Sequence, residues 1–463
     1  MQTLLIEGQS RQPFQGRFVV PGDKSIAQRV LLLAAMAQGE TVVEGVPANF
    51  DCQSMLGVIS KLGAQVCDLG GGRVRIVGWG QRGPEAVEEP IDCGNSGTCM
   101  RLTAGVLSMS AHTYTLIGDP SLKKRSMRSL VQLLSQFGAQ LETLGENDCP
   151  PLRVRGARSG LEGEFQPLEF TKLTVQLPTS SAQLKTAAIL AALSRGNIEL
   201  TVREPFKSRD HSEILLRELG YKLREHPLAD GGHEVTLKVG SCLVPALGKY
   251  RVFGDPSSAA FLIALALLRP HSHIVVDYLN INPTRMGFYA IARRMGANIC
   301  ARYNNRFYGE LVGGITADYS HLQGVEVQAS EVPLCLDEVP LLAVLASRAR
   351  GVTRIRGAET VRHKESDRIS STLQELAKLG IRSTEHVDGF DLWGQMGEAP
   401  RPEKDAGQTE PILLQAHGDH RVAMSLGVAA CLVHRPVQLE GFECAAISYP
   451  EFWETLKRMM VIL

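Results

Sequence analysis

Six times along the chain a run of apolar residues with helical spacing gives way, after a short break, to a β-branched strand. The pairs are Leu31–Ala37 into Thr41–Val43, Leu102–Leu107 into Tyr114–Ile117, and Ala187–Leu193 into Ile198–Val202. They continue with Ala260–Leu268 into Ile274–Val276, Leu341–Ala346 into Val352–Ile355, and Met424–Val433 into Val437–Leu439. The strand starts lie 73 to 85 residues apart. Between them an amphipathic helix ends five times in an apolar residue plus glycine: Leu62-Gly63, Phe137-Gly138, Leu219-Gly220, Met295-Gly296 and Leu379-Gly380. A glycine just past the last turn supplies the left-handed cap. Phe452–Met460 carries the sixth such helix pattern, with no glycine after it. A fixed long period marks a repeat architecture. Helix followed by strand in every repeat predicts an α/β fold, with sheets packed around helices. Two sets of three repeats is the natural partition, with Gly/Pro joints at Pro21-Gly22 and Gly254-Asp255-Pro256. The expectation is one discontinuous domain, residues 1–20 with 254–463, and an inserted domain, residues 21–253. Asp388–Gln415, rich in Gly, Pro and charge, reads as a long surface excursion.

Composition narrows the classes. Of 463 residues 44% are hydrophobic, enough for a real core. Lys plus Arg equals Asp plus Glu at 49 each, so no global field favours nucleic acid or an anionic membrane. Basic residues that matter must act in local clusters. The ten cysteines are scattered without a C-x-x-C pair, which argues against zinc and against a disulfide framework. The first residues show no secretory pattern, and the longest apolar run, Ala259–Leu268, is too short to span a bilayer. A soluble cytoplasmic protein is expected.

Local clusters of that kind recur at helix starts. Val361–Ile369 packs Arg362, Lys364 and Arg368 with Glu365, Asp367, His363 and Ser366 before an apolar helix. Lys364 and Arg368 would share a face of that helix, and Ser366 or Asp367 would cap it. Pro21–Arg29 places a Gly turn, Lys24, Ser25 and Arg29 where a strand at Phe18–Val20 becomes a helix, an anion receptor that lacks the Walker spacing. Asp92–Arg101 is a second Gly-containing turn, with Thr98 opening the next helix. Thr179–Gln183, Lys207–His211 and Gly418–Arg421 precede further helices, and Lys123-Lys124-Arg125 stands in a loop. Capped helix starts and a solvated charge run would explain each one singly. Their recurrence in both proposed domains points to small polyanionic ligands.

Taken together, Pro21–Arg29, Gly94–Arg101, Lys124-Arg125, Ser180–Gln183, Ser208–His211, Asp337–Pro340, Lys364–Arg368 and Asp419–Arg421 resemble the 5-enolpyruvylshikimate-3-phosphate synthase family, in the family's order and over nearly the whole length. The resemblance implies two inside-out α/β domains, each of three βαβαββ-type units, closing on an active site in the cleft between them. It implies an enolpyruvyl (carboxyvinyl) transferase of the shikimate pathway of chorismate and aromatic amino acid biosynthesis. Phosphoenolpyruvate would be the donor, the 5-hydroxyl of shikimate 3-phosphate the acceptor, and no metal or organic cofactor would be needed. The enzyme would be a cytoplasmic monomer without nucleic-acid or membrane partners, and a glyphosate target.

Residue by residue, the resemblance makes Lys24 a contact to both substrates and a member of the catalytic set. Ser25, Arg29, Ser180, Ser181, Gln183, Arg209, Asp337 and Lys364 would hold shikimate 3-phosphate. Gly97, Arg125, Gln183, Arg368, His420 and Arg421 would line the phosphoenolpyruvate pocket. Asp337 would take the proton of the attacking hydroxyl, and Glu365 would exchange the proton at the methylene carbon. The residue chemistry agrees: addition of an alcohol to an enol phosphate needs a base and an acid, and clustered cations neutralise the substrate anions. Departures from the family pattern are Ala27-Gln28, Ser96, Ser126, and Ile447, which stands where part of the family has a lysine. The cell-wall enolpyruvyl transferase is disfavoured by Ser25, where it has Asn, and by the absence of cysteine from Lys123–Arg128. Two other readings are a paralogous transferase acting on another cyclic phosphate and an RNA 3′-phosphate cyclase-like protein. The zero net charge speaks against the latter.

Overall fold

The computed structural model describes residues 2–7, 13–159, 168–395 and 410–461. The chain forms two compact units. The first comprises Met1–Val20, Gly254–Asn305 and Leu311–Leu463; the second comprises Pro21–Phe253 together with Arg306–Glu310.

One repeat of the second unit shows how five of the six are built. Strand Ile91–Asp92 leads through helix Gly97–Leu107 to strand Thr113–Ile117, then through helix Arg128–Ser135 to strands Gln140–Thr143 and Leu152–Arg155. The first two strands are parallel, with Ile91 opposite Leu116. The last strand lies between the second and third, antiparallel to both. This first-second-fourth-third order recurs in four other four-stranded sheets among the described residues. In the sixth sheet Ile412–Gln415 pairs parallel with Val437–Glu440, and Thr3–Ile6 completes it in the antiparallel sense. Two repeats borrow their first strand from far away in sequence. Gln15–Phe18 runs beside His273–Asn280, and Gly248–Arg251 beside Glu40–Glu44. These two pairings close each unit on itself around the points where the chain passes from one to the other.

Each unit carries three buried helices: Lys24–Met36, Gly97–Leu107 and Ala182–Arg195 in the second, and Pro256–Leu268, Val339–Ser347 and His420–Ala430 in the first. Pro256–Leu268 is apolar almost all round and is buried from Pro256 to Leu267, as expected of a helix with no polar face. The intervening helices bury one stripe only; Arg128–Ser135 hides Leu130, Leu133 and Leu134, an i, i+3, i+4 pattern. The strands alternate buried and open positions, as in Ile198–Glu204. The hydrophobic pattern therefore places helices inside and sheets outside.

All five expected capping glycines (Gly63, Gly138, Gly220, Gly296 and Gly380) have φ between +79° and +97°, where a side chain would be strained. Some local expectations shift. The helix expected from Thr98 starts at Gly97 and is capped by Ser96. The strand expected at Phe18–Val20 is Gln15–Phe18. Asp388–Gln415 is no uninterrupted excursion: Gly389–Gly394 and Ile412–Gln415 are paired strands, and residues 396–409 lie outside the described residues. Among the described residues no helix is long and apolar enough to cross a membrane.

Candidate active site

In the second unit the expected site residues gather at the N-terminal ends of the three buried helices. Asp23 caps Lys24–Met36, its Oδ1 accepting from the Ser25 amide at 2.8 Å and the Ile26 amide at 3.1 Å. This cap sets Lys24 at the first turn, where Nζ lies 2.9 Å from Asp51 Oδ2. Arg29 is turned into the protein and holds the helices together. It donates to Ser212 Oγ at 3.0 Å, Thr186 Oγ1 at 3.1 Å and the Ser25 carbonyl at 2.7 Å. Ser181 caps Ala182–Arg195 by accepting from the Leu184 amide, and Ser180 Oγ accepts from the Phe206 amide at 2.8 Å. Arg209 stands half-buried in the turn before helix His211–Glu218.

The turn into Gly97–Leu107 carries the second cluster. Ser96 Oγ accepts from the Cys99 amide and donates to Gln28 Oε1 at 3.1 Å, so two departures from the family pattern meet each other. Arg125 is buried and donates to Asn95 Oδ1 at 2.8 Å, whereas Lys123 and Lys124 are exposed. The basic triplet thus divides into two solvated lysines and one built-in arginine. Arg101, one helical turn after Gly97, donates to Gln183 Oε1 at 2.9 Å, and Gln183 Nε2 donates to Thr98 Oγ1 at 2.8 Å. A Cβ at position 97 would lie 2.7 Å from Arg101 Nη1 and 3.3 Å from Arg125 Nη1. Glycine lets both guanidinium groups approach the backbone.

In the first unit the centre is Arg368, the first residue of helix Arg368–Lys378 and 2% exposed. Its three nitrogens each meet a carboxylate: Nε to Asp419 Oδ2 at 2.8 Å, Nη1 to Asp337 Oδ1 at 3.1 Å, and Nη2 to Glu365 Oε2 at 2.7 Å. Burial alone would lower the Arg368 pKa, but Asp419, Glu365 and Asp337 together outweigh it and raise it. Asp419 also caps helix His420–Ala430, with Oδ1 2.8 Å from the Arg421 amide. One buried carboxylate therefore fixes the start of two helices. Arg421 is 2% exposed, its Nε and Nη1 are buried without hydrogen-bond partners, and its guanidinium sits 5.9 Å from the Phe261 ring centre. A buried guanidinium with unmet donors is costly unless an anion completes it. His420 is buried beside it in sequence, and Ile447 is buried at the end of the turn Phe442–Ile447.

Asp367 rather than Ser366 caps the Arg368 helix, and Lys364 lies before that helix, not on its face. Arg362 is structural, donating to Asp367, Glu385 and the His386 carbonyl. Three further residues contact the expected site residues without being singled out by the local sequence: Arg101, Asp51 and Asp419. Arg101 was within reach, because a four-residue spacing from Gly97 shares a helix face. Asp51 and Asp419 were not, since their partners Lys24 and Arg368 are 27 and 51 residues away.

The chain matches the family described as EPSP synthase (3-phosphoshikimate 1-carboxyvinyltransferase) over residues 9–456. It is 37% identical over 459 residues to the 3-phosphoshikimate 1-carboxyvinyltransferase of Lactiplantibacillus plantarum, covering 98% of this chain and 99% of the other. It is 34% identical over 441 residues to that of Bacillus cytotoxicus, covering 95% and 97%. Its structure is similar to EPSP synthase from Acinetobacter baumannii, with a TM-score of 0.80 and 33% identity over 99% and 98% of the two chains. The enolpyruvyl transferase NikO of Streptomyces tendae shares the fold, with a TM-score of 0.71 at 19% identity over 99% and 97%. With the match running nearly end to end and the family's motif residues assembled at buried helix starts, the chain belongs to the EPSP synthase family.

Proposed function

We propose that the protein transfers the enolpyruvyl group of phosphoenolpyruvate to the 5-hydroxyl of shikimate 3-phosphate and releases phosphate. The observation that carries this reading is the Arg368 cluster, where one buried guanidinium holds Asp337 and Glu365 within 3.1 Å and 2.7 Å. Asp337 takes the hydroxyl proton as the oxygen attacks C2 of the donor, and Glu365 delivers a proton to C3, giving a tetrahedral intermediate. Loss of a proton from C3 to Glu365 then re-forms the double bond as phosphate leaves. Arg368 and Arg421 hold the donor's anionic groups. A substrate anion at Arg368 competes with Glu365 for the guanidinium, which favours the protonated carboxyl that the first step needs. Lys24, Ser25, Arg29, Ser180, Ser181, Gln183, Arg209, Asp337 and Lys364 bind the acceptor. Gly97, Arg125 and His420 are further donor contacts.

The two relatives named above, at 34% and 37% identity, are 3-phosphoshikimate 1-carboxyvinyltransferases, which favours this acceptor over that of a paralogous transferase. The direct test is phosphate release with both substrates, with shikimate in place of shikimate 3-phosphate as the control. Release only with the phosphorylated acceptor is expected; equal rates with both, or none with either, would refute the reading.

Glyphosate sensitivity follows from the same pocket. The longer inhibitor needs more of the space beside Gly97, and the methyl of Gly97→Ala must first displace Arg101, which is tied to Gln183. We expect the parent to be inhibited by glyphosate. Gly97→Ala should weaken phosphoenolpyruvate binding several-fold and glyphosate binding more. An unchanged inhibition constant in the variant would show that position 97 does not border the inhibitor.

A further inference from the structure

Helix Arg368–Lys378 grips the approach to helix His420–Ala430 at two places, and only the first involves a residue of the reaction. Arg368 Nε meets Asp419 Oδ2 at 2.8 Å. Seven residues on, and therefore on the same helix face, stands Glu375. Its Oε2 accepts from the Gln415 amide at 3.0 Å and from Lys378 Nζ at 2.7 Å, and its Oε1 lies 2.9 Å from His417 Nε2. The Glu375 side chain is buried. Burial alone would raise its pKa, but His417, Lys378 and the Gln415 amide outweigh it and hold it below the ordinary carboxylate value. An ionised carboxylate only accepts, so the Nε2–H of His417 donates.

The turn that Glu375 holds is an unfavourable one for the backbone. Gln415 ends strand Ile412–Gln415, and Asp419 caps helix His420–Ala430. Between them the chain passes through two left-handed residues, His417 at φ +53° and Gly418 at φ +68°. Glycine adopts that conformation freely, and a Cβ at 418 would meet nothing within 4 Å, so the backbone angle alone calls for it. A histidine there is held against its preference. Its side chain is 26% exposed, so burial in a core does not hold it. The bond to Glu375 does. Two residues on lies Asp419, and two beyond that Arg421, whose buried Nε and Nη1 lack partners.

We propose that Glu375 and His417 are positioning residues for the donor: their hydrogen bond fixes the turn that sets Asp419 and Arg421. This rests on the assignment of Arg421 to phosphoenolpyruvate given above. With the turn fixed in advance, the guanidinium meets its anion without first being ordered, which lowers the cost of binding.

The test uses His417→Gly, His417→Gln, Glu375→Gln and Arg421→Ala in the full-length protein, with steady-state constants for both substrates and thermal melting. His417→Gly should fold, since it removes a partly exposed ring and relieves the left-handed backbone. Its KM for phosphoenolpyruvate should rise about tenfold, the scale of one charge-assisted hydrogen bond. Its KM for shikimate 3-phosphate should stay within about twofold, and kcat within about threefold. Glu375→Gln should show the same split. His417→Gln, whose amide can donate in place of the ring Nε2–H, should restore most of the loss. Arg421→Ala should raise the donor KM more than tenfold or abolish turnover. An unchanged donor KM in His417→Gly, an equal rise in both KM values, or a His417→Gln no better than His417→Gly would overturn the positioning role alone. An unchanged donor KM in Arg421→Ala would overturn the assignment of Arg421 itself, and the positioning role with it.

Discussion

Asp337→Asn and Glu365→Gln should each cut turnover by about a thousandfold, within the range lost when a positioned acid or base is removed. Melting should move by only a few degrees. Each amide keeps the shape and one oxygen near Arg368, and the guanidinium retains Asp419, its fully buried partner. Asp337 and Glu365 are 20% and 10% exposed as side chains, so neither loss strands an isolated buried charge. The two variants should also separate by role. Exchange of the donor's methylene protons with deuterated solvent, followed by NMR in the presence of shikimate 3-phosphate, reports the step at carbon. Glu365→Gln should abolish that exchange together with turnover. Turnover within a few-fold of the parent would refute the role of the residue concerned, and rapid exchange in Glu365→Gln would refute proton delivery by that carboxyl.

Arg368→Met should be the most damaging single change to folding. It removes the cation and leaves Asp419, Glu365 and Asp337 turned toward an apolar side chain. Breaking a buried pair by deleting one partner costs about 3–5 kcal/mol. For a folding unit of this size that is a fall in melting temperature of about 10 °C. The linkage sign is explicit: the Arg368 pKa is raised in the fold, so the stability it contributes is fully present below the ordinary arginine value and is lost only above the raised one. The parent therefore keeps this contribution throughout the neutral and acidic range. In the variant the carboxylates lose their cation, and acidification that neutralises them should narrow the gap to the parent. Calorimetry of both proteins between neutral pH and about pH 4.5 checks this, the lower limit lying near the ordinary carboxylate range. A pH-independent gap would mean that packing, not charge, is what Arg368 supplies.

Much of this protein is legible in short windows of its sequence. The caps at Asp23 and Asp367, the five glycines that end helices, and the inside position of Pro256–Leu268 all depend on near neighbours in the chain. The spacing of the repeats likewise follows from hydrophobic periodicity, since a helix or strand must bury its apolar face. The sequence by itself thus determined the α/β repeats and placed basic and hydroxyl residues at helix starts. Only the tertiary structure decided which of those residues face inward and whom they meet. Arg362 and Arg368 look alike in sequence, yet one staples a surface turn and the other is buried among three carboxylates. Lys123 and Arg125 belong to one basic triplet, yet one is solvated and the other built in. The partners that make the difference lie 31 and 51 residues away for Arg368 and 30 for Arg125. Local periodicity carries no information at that range; a charge becomes a site only when distant segments pack around it and remove its water.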